Sequence, residues 1–247
     1  MKKISKLLCT LCLVLCPFVL LQAKDLPKQG LGLQIGWAQP ILRVNNPNNV
    51  AIKDSLSQNI HLNGFKVGLI YDASYIASFG SSMGINYTLG VYNGGWQQTL
   101  PNSDLFHNRT LITYQQMEVF VDWQYKFEIA KETYLTLFSG PTIQCGLGLI
   151  WRKDLMEENF YTGEVKTTYG ERNNAYTSDR NDDAFKRFNV TWGVGAGFQY
   201  QRYFIRGGYD FGLIVPYKNP DFTLGHHTRG RLDQWSIKIG MYFWYKD

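Results

Sequence analysis

The stretch Gln116–Phe127 constrains this chain more than any other, because it alternates almost without fault. Met117, Val119, Val121, Trp123, Tyr125 and Phe127 fall on one side, and Gln116, Glu118, Asp122, Gln124 and Lys126 on the other; only Phe120 breaks the pattern. A period of two describes a strand with one apolar and one polar face. It does not say which face is inside. A soluble barrel hides its apolar face, whereas a membrane barrel turns that face to lipid.

The same period recurs along the sequence. Leu31, Leu33, Ile35 and Trp37 alternate with small or polar residues over Gly30–Ala38, and Phe65, Val67, Leu69 and Tyr71 do so after an Asn- and Pro-rich loop at residues 39–61. A turn is expected near Asp72–Ile76. The third strand carries Phe79, Met83, Ile85, Tyr87, Leu89 and Val91, followed by a polar loop over residues 93–110. Gln116–Phe127 is the fourth strand, closed by a turn near Glu128–Glu132. The fifth, Thr133–Trp151, sets Leu135, Leu137, Ile143, Cys145, Leu147, Leu149 and Trp151 against Thr136, Gly140, Thr142, Gln144, Gly146 and Gly148. A long charged loop is expected over Arg152–Arg187. The sixth strand runs over residues 188–200, a tight turn falls at Gln201-Arg202, and the seventh covers Tyr203–Leu213. After a loop at about Ile214–Arg231, the eighth places Trp235, Ile237, Ile239, Met241 and Phe243 opposite Gln234, Ser236, Lys238 and Gly240. No helical period and no second domain is visible.

Residues 1–23 have the form of a secretory signal peptide. Lys2, Lys3 and Lys6 make its basic start, Leu7–Leu21 its apolar run and Leu21-Gln22-Ala23 a cleavage site. The run is too short for a spanning helix, which needs about twenty residues. This divides the chain into a signal peptide at 1–23 and a β-barrel domain at 24–247. Cys9, Cys12 and Cys16 lie in the signal, so Cys145 is left without a disulfide partner. Formal net charge is +5, but without the three signal lysines 22 basic residues face 20 acidic ones. No basic run supports nucleic-acid binding.

Four features favour lipid over a soluble, lipocalin-like core. Long and short connections alternate, as in barrels of the outer membrane. Aromatic residues gather at both strand ends: Trp37, Trp151, Trp192 and Trp235 beside the long loops, and Tyr71, Phe79, Phe127, Tyr200, Tyr203 and Phe243 beside the short turns. The weakly polar face is dense in glycine, which suits the narrow interior of eight strands. A Lys or Arg facing lipid at the midplane would cost roughly 2–4 kcal/mol. Lys66, Glu118, Asp122, Lys126, Arg206, Asp210 and Lys238 are therefore expected to point inward as a structural charge network, four bases and three acids, with Asp210 and Lys238 on neighbouring strands. The fold class expected is all-β: an eight-stranded antiparallel up-and-down transmembrane β-barrel in the cell outer membrane, in contact with outer-membrane lipid.

Gln116–Phe127 followed by Phe138-Ser139-Gly140-Pro141 resembles the strand-turn-strand core of the PorT-like small outer-membrane β-barrel proteins. Gly193-Val194-Gly195-Ala196-Gly197, with Gly208-Tyr209-Asp210-Phe211-Gly212-Leu213, is similar to their penultimate hairpin. The resemblance implies a barrel rather than an activity. Lys238, Gly240, Phe243 and Tyr245 look like the last-strand signal read by the barrel assembly machinery; here Lys246 and Asp247 follow it, where many relatives stop at the aromatic residue.

Little chemistry is expected. His61, His107, His226 and His227 all fall in or beside long loops, which raises the reading of a lipid A-modifying enzyme. None has a catalytic spacing, however, and a solvated loop histidine explains each. His226-His227 lacks further metal ligands, and Glu157-Glu158 and Asp182-Asp183 read as solvated charge. Gly193–Gly197 is no phosphate loop, because no helix follows it. No catalytic residue, cofactor or metal is expected. The expected role is structural, or the presentation of loops to ligands or an envelope protein partner; a small-solute or lipid-binding barrel or channel is the second reading.

Overall fold

In the computed structural model, residues 29–45, 60–76, 78–100, 103–159, 161–174, 176, 185–216 and 229–246 are described. The signal segment, His226 and His227 lie outside them. Twelve strands follow in chain order: β1 (Gln29–Asn45), β2 (Ile60–His61), β3 (Asn63–Ile76), β4 (Phe79–Asn93), β5 (Gln97–Leu100), β6 (Ser103–Ala130), β7 (Thr133–Glu158), β8 (Val165–Thr168), β9 (Asn173–Asn174), β10 (Phe188–Tyr200), β11 (Tyr203–Gly212) and β12 (Arg229–Lys246).

Eight of these close a ring. β1, β3, β4, β6, β7, β10, β11 and β12 each pair antiparallel with the next, and β12 returns to β1 from Gln29↔Lys246 to Asn45↔Arg229. Such closure leaves no open edge within the ring wall. The four remaining strands sit outside this circuit: β2 on β1, β5 on β6, and β8 and β9 on β7. The sixth expected strand and the turn at Gln201-Arg202 fall where the alternation placed them, with Gln201 at φ 52° in the left-handed region.

Three expectations about element ends are corrected. Asp72 is not in a turn: β3 continues to Ile76, and Asp72 pairs with Ser82 inside the sheet. The polar loop at 93–110 is largely strand, since β6 begins at Ser103 and β5 folds back on it. Part of the loop at Arg152–Arg187 is also strand: β7 runs to Glu158, and β8 and β9 follow. These extensions stand beyond Asn93↔Leu111, the last pairing that β4 offers β6. Apolar and polar residues do not alternate along them, so no period of two marks them as strand.

A further correction concerns faces. The β6–β7 register shifts between Gln115 and Gln116, so Gln116 pairs with Gly146 but Gln115 with Gly148. One inserted residue reverses every side chain beyond it. Leu149 and Trp151, expected on the apolar exterior, instead pack inward against Leu62, Ile112, Tyr114 and Tyr176. Trp37 and Trp192 remain outside.

The finished ring is apolar without and polar within. Leu33, Val67, Ile85, Val119, Leu137, Val194, Ile205 and Ile239, one from each of its eight strands, are all exposed. The buried set is dominated by Gln, Asn, Ser, Thr and charged side chains. Ser139, a hydroxyl on the exterior, donates to the Gly193 carbonyl at 3.0 Å and accepts from Trp192 Nε1 at 2.9 Å.

Candidate functional site: the charged lumen

The inward positions of β3, β4 and β6 set the order of groups down the lumen. Lys66, Thr88 and Gln116 share one line of pairings; Ile70, Gly84 and Phe120 share a second; Asp72, Ser82 and Asp122 share a third. Phe120, the one break in the alternation of its strand, packs with Ile70, Phe204 and Tyr242 as an apolar layer between two polar ones. Gly84 has to be small here, because a Cβ would come within 2.8 Å of the Phe120 ring.

Above that layer, Lys66 Nζ donates to Glu118 Oε2 at 2.6 Å, and each residue is only 1% exposed. The other Glu118 oxygen accepts from Gln234 Nε2 at 2.8 Å, from Gln116 Nε2 and, at 3.4 Å, from Thr88. Gln34 donates to Asn86 at 2.6 Å nearby. Below the layer, Lys126 Nζ donates at 3.0 Å to both Asp72 Oδ2 and Gln199 Oε1, and Tyr242 also donates to Asp72. Arg206 donates to Asp122 Oδ2 at 3.1 Å and to Ser82 at 2.9 Å, with its guanidinium 4.1 Å from the centre of the Phe138 ring.

All seven expected lumen residues face inward, and sequence reasoning missed an eighth. Asp72 is the partner of Lys126, so four acids face four bases. Its place in an apparent Asp-Ala-Ser turn concealed it; an alternation extended two residues along β3 would have found it. The expected pairing is not complete: Asp210 and Lys238, though on neighbouring strands, do not meet. β11 and β12 pair Arg206 with Lys238 and Asp210 with Gln234, four positions apart along the sheet. Lys238 Nζ instead lies 5.3 Å from the Phe120 ring centre. Neither has an ion-pair partner among the described residues. Both line a cavity of ≈ 20 Å³ with Lys66, Glu118 and Asp122, room for about one water.

Two further interior cavities are equally small. A cavity of ≈ 10 Å³ touches Lys126 and Arg206. At the long-loop mouth, Tyr176 and Phe185 fold over Tyr114, Leu149 and Leu232, leaving ≈ 30 Å³. Of the last-strand residues, Phe243 is exposed on the exterior, Tyr245 accepts from Gln199 Nε2 at 3.1 Å, and Phe204 packs toward Gly240. His61 stands 3.4 Å from Gln39 Oε1, and His107 lies on the β6 extension. Among the described residues no group of three or more His, Cys, Asp or Glu is placed to hold a metal.

No family model matches the sequence, and no curated protein does. Among solved structures the chain is similar to Ail, the attachment invasion locus protein of Yersinia pestis, at 12% identity and a TM-score of 0.39, over 88% of this chain and 100% of that one. It is similar also to Neisserial surface protein A, at 10% identity and a TM-score of 0.38, over 87% and 97% of the two chains. The N-terminal β-barrel domain of Pseudomonas aeruginosa OprF follows at 10% identity and a TM-score of 0.23, over 85% and 97%.

Proposed function

We propose that this chain is an integral outer-membrane β-barrel with a filled lumen, serving as a structural or partner-presenting element rather than a catalyst. One observation carries the reading: the closed eight-stranded ring is apolar outside and polar inside. In water that arrangement would expose apolar side chains around the whole circumference while burying charge, both unfavourable. In lipid the apolar face is solvated and the charges stand better inside than against hydrocarbon, and only helices or closed sheets satisfy their backbone there. The bonds made by Ser139 fit the same demand. The network and its small cavities support a plug, since eight strands leave an interior that side chains fill. Presentation falls to the extensions of β6 and β7, where β5 and β8 end the sheet. The resemblance to PorT-like proteins accords with this reading without assigning a role in secretion. Lys238, Gly240, Phe243 and Tyr245 would serve recognition by the assembly machinery during biogenesis.

The test is fractionation followed by gel migration. The unheated protein should run faster than the boiled one and partition with outer membranes; recovery in a soluble fraction overturns the proposal. Planar bilayers then separate plug from channel. A folded barrel without unitary conductance supports the plug, and defined conductance favours the small-solute reading, with the charged cavity as its path.

A further inference from the structure

Outside the ring, near its long-loop end, lies an ionic cluster that the lumen does not explain. Asp233 sits on the exterior face of β12, two residues beyond Trp235, yet it is 0% exposed. It is covered by Arg43 from β1, Arg231 from β12 and Tyr209 from β11. Arg43 Nε stands 2.6 Å and Arg231 Nε 2.9 Å from Asp233 Oδ2; Tyr209 donates to that oxygen at 2.8 Å, and the Gly212 N–H donates to Oδ1 at 2.9 Å. Two guanidiniums thus share one carboxylate, and both approach it through Nε. Of their outer nitrogens only Arg43 Nη2 has a partner among the described residues, Tyr209 at 3.0 Å. The side chains remain 37% and 47% exposed. The surplus is one positive charge carried by planar, partly exposed donors, a chemistry that suits a phosphate.

Its height supplies the second observation. Trp37 and Trp235 meet edge to face at 4.2 Å just below, and Trp235 Nε1 donates to Gln39 at 2.6 Å. Tryptophans with one wet edge mark the boundary between hydrocarbon and headgroups. Two residues along a tilted strand raise Asp233 about 5 Å above Trp235, which is headgroup level. A comparable cluster stands on the far side of the ring: Asp154 is held by Arg109 at 2.7 Å and Arg152 at 2.8 Å. It lies on the β6–β7 extension beyond the reach of β4, and its guanidiniums are covered by Trp96 and Tyr169, on which they stack.

Resting on the membrane reading above, we propose that Arg43 and Arg231, held by Asp233 and Tyr209, form a binding site for the phosphate of an outer-leaflet lipid headgroup. The experiment uses the full chain in phosphatidylcholine nanodiscs doped with phosphatidic acid. Native mass spectrometry reads the phosphatidic acid retained after release from the disc. Insertion is checked first, so failure to enter the disc counts against the membrane reading and not against the site. Arg231→Gln and Arg43→Gln should each lower retention about fivefold to tenfold, the loss of a charge-assisted bond. Arg231→Lys, which leaves the charge, should fall between. Arg152→Gln on the far cluster should change nothing. Equal retention in all variants overturns the site, as does equal loss with Arg152→Gln. Inorganic phosphate matching the effect of the lipid in a disc of phosphatidylcholine alone would assign the cluster to a soluble anion and overturn the lipid.

Discussion

The lumen and the exterior clusters solve opposite electrostatic problems with the same residue types. Inside, three carboxylates each take one cation directly: Glu118 takes Lys66, Asp72 takes Lys126 and Asp122 takes Arg206. With Asp210 and Lys238 the tally is neutral. Outside, Asp154 and Asp233 each hold two arginines and leave a positive surplus. A surplus in a narrow, dry interior has no solvent to spread into, whereas one at the rim is hydrated or meets headgroups. The interior therefore balances its charges, and the excess is carried on the exterior clusters, where the arginines stay partly exposed.

The largest effect that would break this contrast is expected at Glu118. Glu118→Ala removes the acceptor of Lys66, Gln116, Gln234 and Thr88 together, leaving an ammonium in a site that is 1% exposed. Unfolding in urea from detergent or vesicles should show a loss of about 3–5 kcal/mol. The double variant Lys66→Met/Glu118→Leu should recover most of that loss, because an apolar pair of similar volume is often no worse than a buried ion pair. If the double variant is as unstable as the single one, polar satisfaction rather than charge balance governs the lumen.

A smaller effect sharpens the contrast from within. Asp210 and Lys238 face the same cavity without touching a counter-ion. Asp210→Asn and Lys238→Met should each shift stability by about 1 kcal/mol, and their coupling should stay near the low end of what a shared cavity transmits, about 0.5 kcal/mol. Strong coupling in that cycle would mean that they act as a pair, as their neighbouring strands first suggest. Conductance appearing in either variant would recast the cavity as a gate.

What the sequence disclosed follows the physics of two solvents. Where one face of the wall is apolar and the other polar, alternation was strict, and β10 and its turn to β11 could be read off directly. Beyond the reach of β4, as over Ser103–Asn108 or Arg152–Glu158, apolar and polar residues do not alternate, and the strand looked like loop. Trp151 was assigned to the wrong face because one extra residue in β7, Leu147 between Gly146 and Gly148, reverses the β7 side chains beyond it, and glycine is too frequent on this face for those two to single it out. Asp72 was lost for a different reason. Its partners Lys126 and Tyr242 lie 54 and 170 residues away, so nothing local distinguishes a buried ion pair from a turn aspartate. Inward direction is a local property and was legible; the choice of partner depends on register across strands and was not, as Asp210 and Lys238 show.

The mildest test addresses the wet cluster on the β6–β7 extension. Burial pushes the Asp154 carboxyl upward, but hydrogen bonds from Arg109 and Arg152, with the charge of Arg152, more than offset it and hold its pKa below the ordinary value. A carboxylate with a lowered folded pKa contributes stability that is present above the range of a free aspartate, about 3.9, and lost as pH falls through its lowered folded value. Between pH 8 and pH 5 the extension should therefore be indifferent to acid. Below about pH 4, where aspartates begin to protonate, the amides around Arg109 and Arg152 should lose hydrogen-exchange protection while those of the ring wall near Val119 do not. Asp154→Asn should remove this dependence and show at neutral pH the weakened protection that the parent reaches only in acid. Arg109 and Arg152 remain partly exposed, so the change should stay local and leave the unfolding midpoint of the ring unmoved. Loss of protection spreading to Val119 at the same pH would show that the extension and the ring wall open as one unit, and that the wet cluster is as necessary to closure as the dry one.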